Sequence, residues 1–186
     1  DRMKKVYPNI FCVLNFDDQK IVRISTPEND AKLVIHSMSG TTSNGTWTTD
    51  STGGSANNLD TSSSEDFTGS SHLVWDVNTD TTTADLQNTT MAQVNITSFR
   101  RDGGYIFVNQ YIPLSSASEL AKITSFQLQF GSDSGNYYQD TAITANDGTA
   151  FREGLNILIF NFPSTAAAGT PTDTAVDYVR LRLVLS

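Results

Sequence analysis

Three stretches decide the fold: Ile123-Thr-Ser-Phe126-Gln-Leu128-Gln-Phe130, Leu155-Asn-Ile-Leu158-Ile-Phe160-Asn-Phe162 and Asp177-Tyr-Val179-Arg-Leu181-Arg-Leu183-Val-Leu185. The first and third alternate apolar with polar side chains, the period of a sheet with one dry face and one wet face. Working back from them, the same signal recurs at Tyr137–Thr144, Tyr105–Ile112, Met91–Phe99 and Ser71–Val77, where Leu73, Trp75 and Val77 point inward. Glycine-rich turns separate these runs, at Arg101-Asp-Gly-Gly104 and Asn146-Asp-Gly148, and the first reads as a hairpin. Helical periodicity is limited to a short turn over Ser115–Lys122.

Seven or more strands in about 110 residues imply an all-β, two-sheet sandwich or barrel. The long, uneven connections favour a jelly-roll β-sandwich of two antiparallel sheets over residues 37–186. Residues 1–36 carry short strand-like runs at Ile10–Leu14, Lys20–Ile24 and Lys32–Ile35, and form a β-rich N-terminal appendage. Between Ser37 and Gly69 the composition turns to Gly, Ser, Thr, Asn and Asp. Such a stretch buries little surface, so it reads as loop or edge strand.

Composition narrows the function. The 186 residues carry a net charge of −8, which disfavours nucleic acid, whose phosphates need clustered Lys and Arg. The local basic cluster, Arg2, Lys4 and Lys5, reads equally as a solvated tail or a contact site, and residues 1–36 as the end of a preceding anchoring region. The single cysteine, Cys12, excludes a disulfide within the chain and reads as a small buried hydrophobe. No apolar run reaches the roughly 18 residues of a membrane span, and no leader pattern opens the chain. The start at Asp1 reads as a cut from a longer protein.

Nothing of comparable strength points to catalysis. His36 and His72 fall in no zinc-ligand pattern, no G-x-S-x-G elbow occurs, and phosphate-cradling glycine motifs are missing. The expectation is that the chain is no enzyme. Asp76-Val-Asn78-Thr-Asp80 places oxygen ligands at alternate positions, but Thr81 and Gln87 stand where an EF-hand loop needs Gly and Glu. A looser structural Ca2+ site using Asp76 remains open. Asp177 shares the parity of Val179, Leu181 and Leu183, so its carboxylate is expected on the core side, where it must be paired or metal-bound. Aromatic rings are platforms for sugars. Adjacent strand residues face opposite ways, so one of Tyr137 and Tyr138 should be core and the other a surface contact. Trp47, in Asn44-Gly-Thr-Trp47-Thr, has the more exposed setting, while Trp75, Tyr105, Phe107 and Tyr111 read as core. Ligand-binding candidates are therefore Tyr137, Tyr138 and Trp47, and metal candidates Asp177 and Asp76. Asn44, Asn88 and Asn95 head formal glycosylation tripeptides.

The succession Gly45-Thr-Trp47, Gly69-Ser-Ser-His-Leu-Val-Trp-Asp-Val77, Gly131-Ser-Asp-Ser-Gly-Asn-Tyr-Tyr138, Gly154-Leu-Asn-Ile-Leu158, Gly169-Thr-Pro-Thr-Asp173 and Val176-Asp-Tyr-Val-Arg-Leu181 resembles a jelly-roll module of structural proteins of tailed bacteriophages. It is similar as well to carbohydrate-binding β-sandwich domains of secreted enzymes. In those relatives an aspartate in the last strand holds a structural calcium, and Asp177 matches that place. The resemblance implies a non-catalytic virion module at the particle surface: capsid decoration, head fibre or tail appendage. Its partners would be other virion subunits, including copies of itself as a homo-oligomer such as a trimer, and cell-surface glycan. The alternative is a carbohydrate-binding module of a secreted bacterial glycan-processing enzyme. A jelly-roll glycosidase, needing two carboxylates on one concave face, ranks third.

Overall fold

A computed structural model describes residues 11–15, 20–24, 44–52, 58–62, 72–77, 81–113 and 117–186. The Arg2–Lys5 cluster, the Lys32–Ile35 run, His36, residues 78–80 and the side chains of Cys12, His72 and Asp76 lie outside what it describes. The chain divides into two compact units, Asp1–Val34 and Ile35–Ser186. In the first, β1 (Phe11–Asn15) and β2 (Lys20–Ile24) form an antiparallel hairpin with Val13 opposite Val22.

The second unit is mostly β. Its strands are β3 (Trp47–Thr52), β4 (Asn58–Ser62), β5 (His72–Asp76), β6 (Thr83–Asn88), β7 (Tyr105–Ile112), β8 (Ile123–Asp133), β9 (Asn136–Ala142), β10 (Gly154–Asn161) and β11 (Tyr178–Leu185). A five-stranded antiparallel sheet runs β3-β6-β11-β8-β9, while β7 pairs with β10 and β4 with β5. The terminal strand is central because both of its edges are used. Leu181 lies opposite Leu86 on one side and Leu128 on the other, and Leu183 likewise faces Ala84 and Phe126. Alternation therefore puts Ala84, Leu86, Phe126, Leu128, Phe130, Leu181 and Leu183 on one face, all buried. All of these except Leu86 join one core with Ile112, Leu158 and Phe160 of the β7–β10 pair, and the half-buried Trp75 and Val77 pack against it. Leu158 and Phe160 retain no exposed surface. Edge-to-face ring pairs tie the layers' aromatics together, Phe126 to Phe151 at 5.1 Å and Phe130 to Phe162 at 5.4 Å.

Two segments depart from the sequence reading. Met91–Phe99 is not a strand. Only Val94 pairs, with Val176, and helix α1 (Thr97–Arg101) follows. The Asn95 side-chain oxygen accepts the Thr97 N–H at 3.0 Å, a local turn that competes with the extended chain. The turn after Arg101 thus closes a helix, not a hairpin. Conversely, β6 went unrecognised because its inward set is only Ala84, Leu86 and Asn88. Helix α2 (Ala117–Leu120) occupies part of the expected Ser115–Lys122 turn. The 37–69 stretch supplies β3, at an edge of the large sheet, and β4.

Candidate binding face

Residues out of phase with the core set form the other face of the five-stranded sheet. Tyr178, Arg180 and Arg182 come from β11, Gln127 and Gln129 from β8, Tyr137, Gln139 and Thr141 from β9, and Asp85 and Gln87 from β6. These polar groups satisfy one another. Arg182 grips Asp85 with two parallel hydrogen bonds, Nε to Oδ1 at 2.7 Å and Nη2 to Oδ2 at 2.8 Å. This fork geometry is the strong form of the pair, and the hydrogen bond raises the Arg182 guanidinium pKa above its ordinary value. Arg180 donates to the Gln87 Oε1 from Nε at 3.3 Å and from Nη2 at 3.1 Å. The Tyr178 hydroxyl donates to Gln129 Oε1 at 3.2 Å, and the Gln129 amide donates to Gln139 Oε1 at 2.8 Å. Burial raises the Tyr178 phenol above its usual value.

Tyr137 stands at one end of this face. Its register partner on β8 is Gly131, which is also opposite Tyr178 on β11. A Cβ at Gly131 would collide with the Asn136 carbonyl and the Tyr137 Cα. Only glycine lets β8 and β9 close there and bring the Tyr137 and Tyr178 rings within 6.3 Å. Among the described residues, the Tyr137 hydroxyl and the side chains of Gln127 and Thr141 take no hydrogen bond, and Thr141 is exposed. Tyr178, Gln129 and Asp85 are themselves buried. The half-buried Gln127, Gln139, Arg180 and Arg182 and the exposed Thr141, held in fixed orientation, are the groups that can exchange hydrogen bonds with the hydroxyls of a polyol, and the half-buried Tyr137 ring offers a surface for pyranose C–H groups.

The other candidates fall elsewhere. Tyr138 points into the core, and its hydroxyl donates to Asp173 Oδ1 at 2.7 Å. Burial first, then Asp173, raises its pKa. Arg100 lies 4.3 Å from the Tyr138 ring centroid, pairs with Asp173 at 2.9 Å, and donates to the carbonyls of Pro163 and Ser164. Tyr138 is thus part of a clamp on the 163–173 connection. Trp47 corrects the expectation of exposure: it is 5% exposed, on the inner face of β3 opposite Asn88. Asn88 is fully buried and holds the preceding turn through Asn44 and Thr90, a setting that admits no glycan. Tyr105 and Phe107, expected in the core, are each half exposed. Asp177 accepts from the Gln93 side-chain amide at 3.1 Å. Among the described residues no three His, Cys, Asp or Glu side chains converge on one point. The sequence reading missed Arg180, Arg182, Asp85, Gln87, Gln127 and Gln139. Their signal was present as the polar half of the alternation in strands whose apolar half was read.

Compared with known proteins, the chain matches no family model, no curated protein and no solved structure.

Proposed function

We propose that this chain is a non-catalytic, jelly-roll binding module of a phage virion protein, displayed at the particle surface, whose five-stranded sheet adheres to glycan through its polar face. The observation that carries the reading is the hydrogen-bonded row from Asp85–Arg182 and Gln87–Arg180 to Gln129–Gln139, ending at Tyr137. Such a row is ordered before any ligand arrives, so binding pays little to fix its side chains. The Gly131–Tyr138 and Val176–Leu181 blocks, which resemble phage jelly-roll modules, support the virion setting. A carbohydrate-binding module of a secreted bacterial enzyme is the second reading, favoured by the same face.

A glycan array probed with the full chain tests adhesion. Tyr137→Ala should weaken retention at least tenfold while leaving the melting temperature nearly unchanged. No retained glycan, or retention indifferent to Tyr137→Ala and Gln127→Ala, overturns it. An electron-microscopy map placing the chain at a repeated position on a particle selects the virion; a glycan-cleaving domain in the same gene product selects the enzyme module.

A further inference from the structure

Strands β7 and β10 are apolar on both sides. One side, with Ile106, Val108, Ile112, Leu158 and Phe160, belongs to the core or packs against it. The other carries Tyr105, Phe107 and Tyr111 beside Leu155, Ile157 and Ile159, with Ile159 opposite Phe107 and Leu155 opposite Tyr111. Tyr105 and Phe107 are each 49% exposed and Leu155 39%, and the two rings lie 6.4 Å apart. Strands with near-continuous apolar runs are ordinarily covered on both faces. Here the chain's own core covers one.

Three arguments select the occupant. An aromatic side chain presents about 150–250 Å², so half of Tyr105 and of Phe107, with smaller shares from the other four, makes an apolar patch on the order of 400 Å², within the size range of patches that are often functional. The only polar residues among the strands' outward positions are Asn109 and Asn161, and none is charged. A chain of net charge −8 repels its own copies across most approaches. Among the described residues, the one carboxylate bonded to an outward residue of these strands is Asp140, which accepts from the Asn161 side-chain amide at 3.1 Å at one end of the patch, so two copies can meet over Phe107, Asn109 and Ile157 without burying it. A sugar, by contrast, needs directional partners for its hydroxyls, which Leu155, Ile157 and Ile159 do not supply. We propose that the outer face of β7–β10 is where two copies of this chain associate, each presenting the same patch to the other. Two such patches bury roughly 800 Å², below the ~1,200–2,000 Å² of a stable complex, so the dimer is weak and concentration-dependent.

Sedimentation velocity of the full chain over a concentration series, in 0.15 M and 1 M NaCl, tests this. The sedimentation coefficient should rise with concentration, and salt should not reverse it, because apolar contacts are not screened. Asn109→Glu sets a charge in the middle of the patch at a site that is already exposed and polar; it should raise the dimer Kd at least tenfold with the melting temperature unchanged. Phe107→Ser should do the same, and if it does not fold, Asn109→Glu decides alone. A chain that stays monomeric up to millimolar concentration overturns the proposal. So does association that survives Asn109→Glu, or that 1 M NaCl dissolves, which would assign the contact to a charged surface. Tyr137→Ala should leave the dimer intact, so loss of glycan retention and loss of association can be told apart.

Discussion

On the outer side of the five-stranded sheet, Arg182 and Arg180 reach Asp85 and Gln87, and Tyr178 reaches Gln129, so the buried polar groups find partners on neighbouring strands. On the outer side of β7–β10, Phe107 and Tyr105 sit half exposed beside isoleucines. Both faces arise from the same two-residue alternation. Polar side chains spaced one strand apart can satisfy each other within one chain, which keeps that face soluble yet rigid. Apolar side chains gain only by leaving water, and in this two-stranded ribbon, whose first face is already used, Tyr105, Phe107 and Leu155 on the second stay partly in it. Composition alone therefore does not separate core from exposed face; register does.

The largest effect that can break this comparison lies on the ribbon itself. Phe160→Ala, which empties a fully buried site, should cost about 3–5 kcal/mol in urea unfolding. Phe107→Ala, on the opposite face, should cost less than about 1 kcal/mol at concentrations where the chain is monomeric. Equal costs would mean that Phe107 is covered within its own chain, and the contrast between the two faces would fail.

The polar face is probed next by Asp85→Asn. The Asp85 side chain is 9% exposed and pairs with Arg182, with Arg180 at 3.7 Å. Losing the carboxylate leaves two partly buried guanidinium groups without their counter-charge, at a cost of about 2 kcal/mol once the partial exposure of the arginines is allowed for. A loss under about 0.5 kcal/mol would show that the network is ornamental to stability.

How far these faces were legible in the sequence depended on contrast. The strands at Ile123–Phe130 and Tyr178–Leu185 announced themselves because bulky apolar and polar residues alternate over eight positions, and that rhythm also contains the polar face. β6 carries the same rhythm with alanine and asparagine in place of large side chains, too faint to read. Tyr137-Tyr138 was legible as one residue in and one out. Only the pairing of Phe130 with Tyr138 and Gly131 with Tyr137 fixed which was which. Trp47 misled because its neighbours are Gly, Ser and Thr, although an edge strand needs only one inward ring. Tyr105 and Phe107 misled in the opposite sense: the residues are core-like, yet each is half exposed.

pH reaches the five-stranded sheet more gently, through Tyr178 on its polar side and Tyr138 on its core side, both of them buried. Burial favours the neutral phenol in both, raising their pKa above the ordinary 10.0. Their contribution to stability is thus complete below pH 10 and is lost as pH climbs from there through the raised folded values. Tyr178→Phe should cost about 1 kcal/mol at neutral pH for the bond to Gln129 and flatten the alkaline loss, read as melting temperature against pH. At the acid end the lever sits in the β9–β10 turn, away from either face. Hydrogen bonds from the Thr149 hydroxyl and backbone, then Arg152, hold the exposed Asp147 carboxyl down to about 2 against 3.8 when free. That contribution is full above pH 3.8 and lost as pH falls toward 2. Asp147→Asn should lower the melting temperature by a constant amount above pH 3.8, neutral pH included, and the difference should close as pH falls toward 2; a difference that persists unchanged to pH 2 would mean that the carboxylate's charge is not what holds the turn.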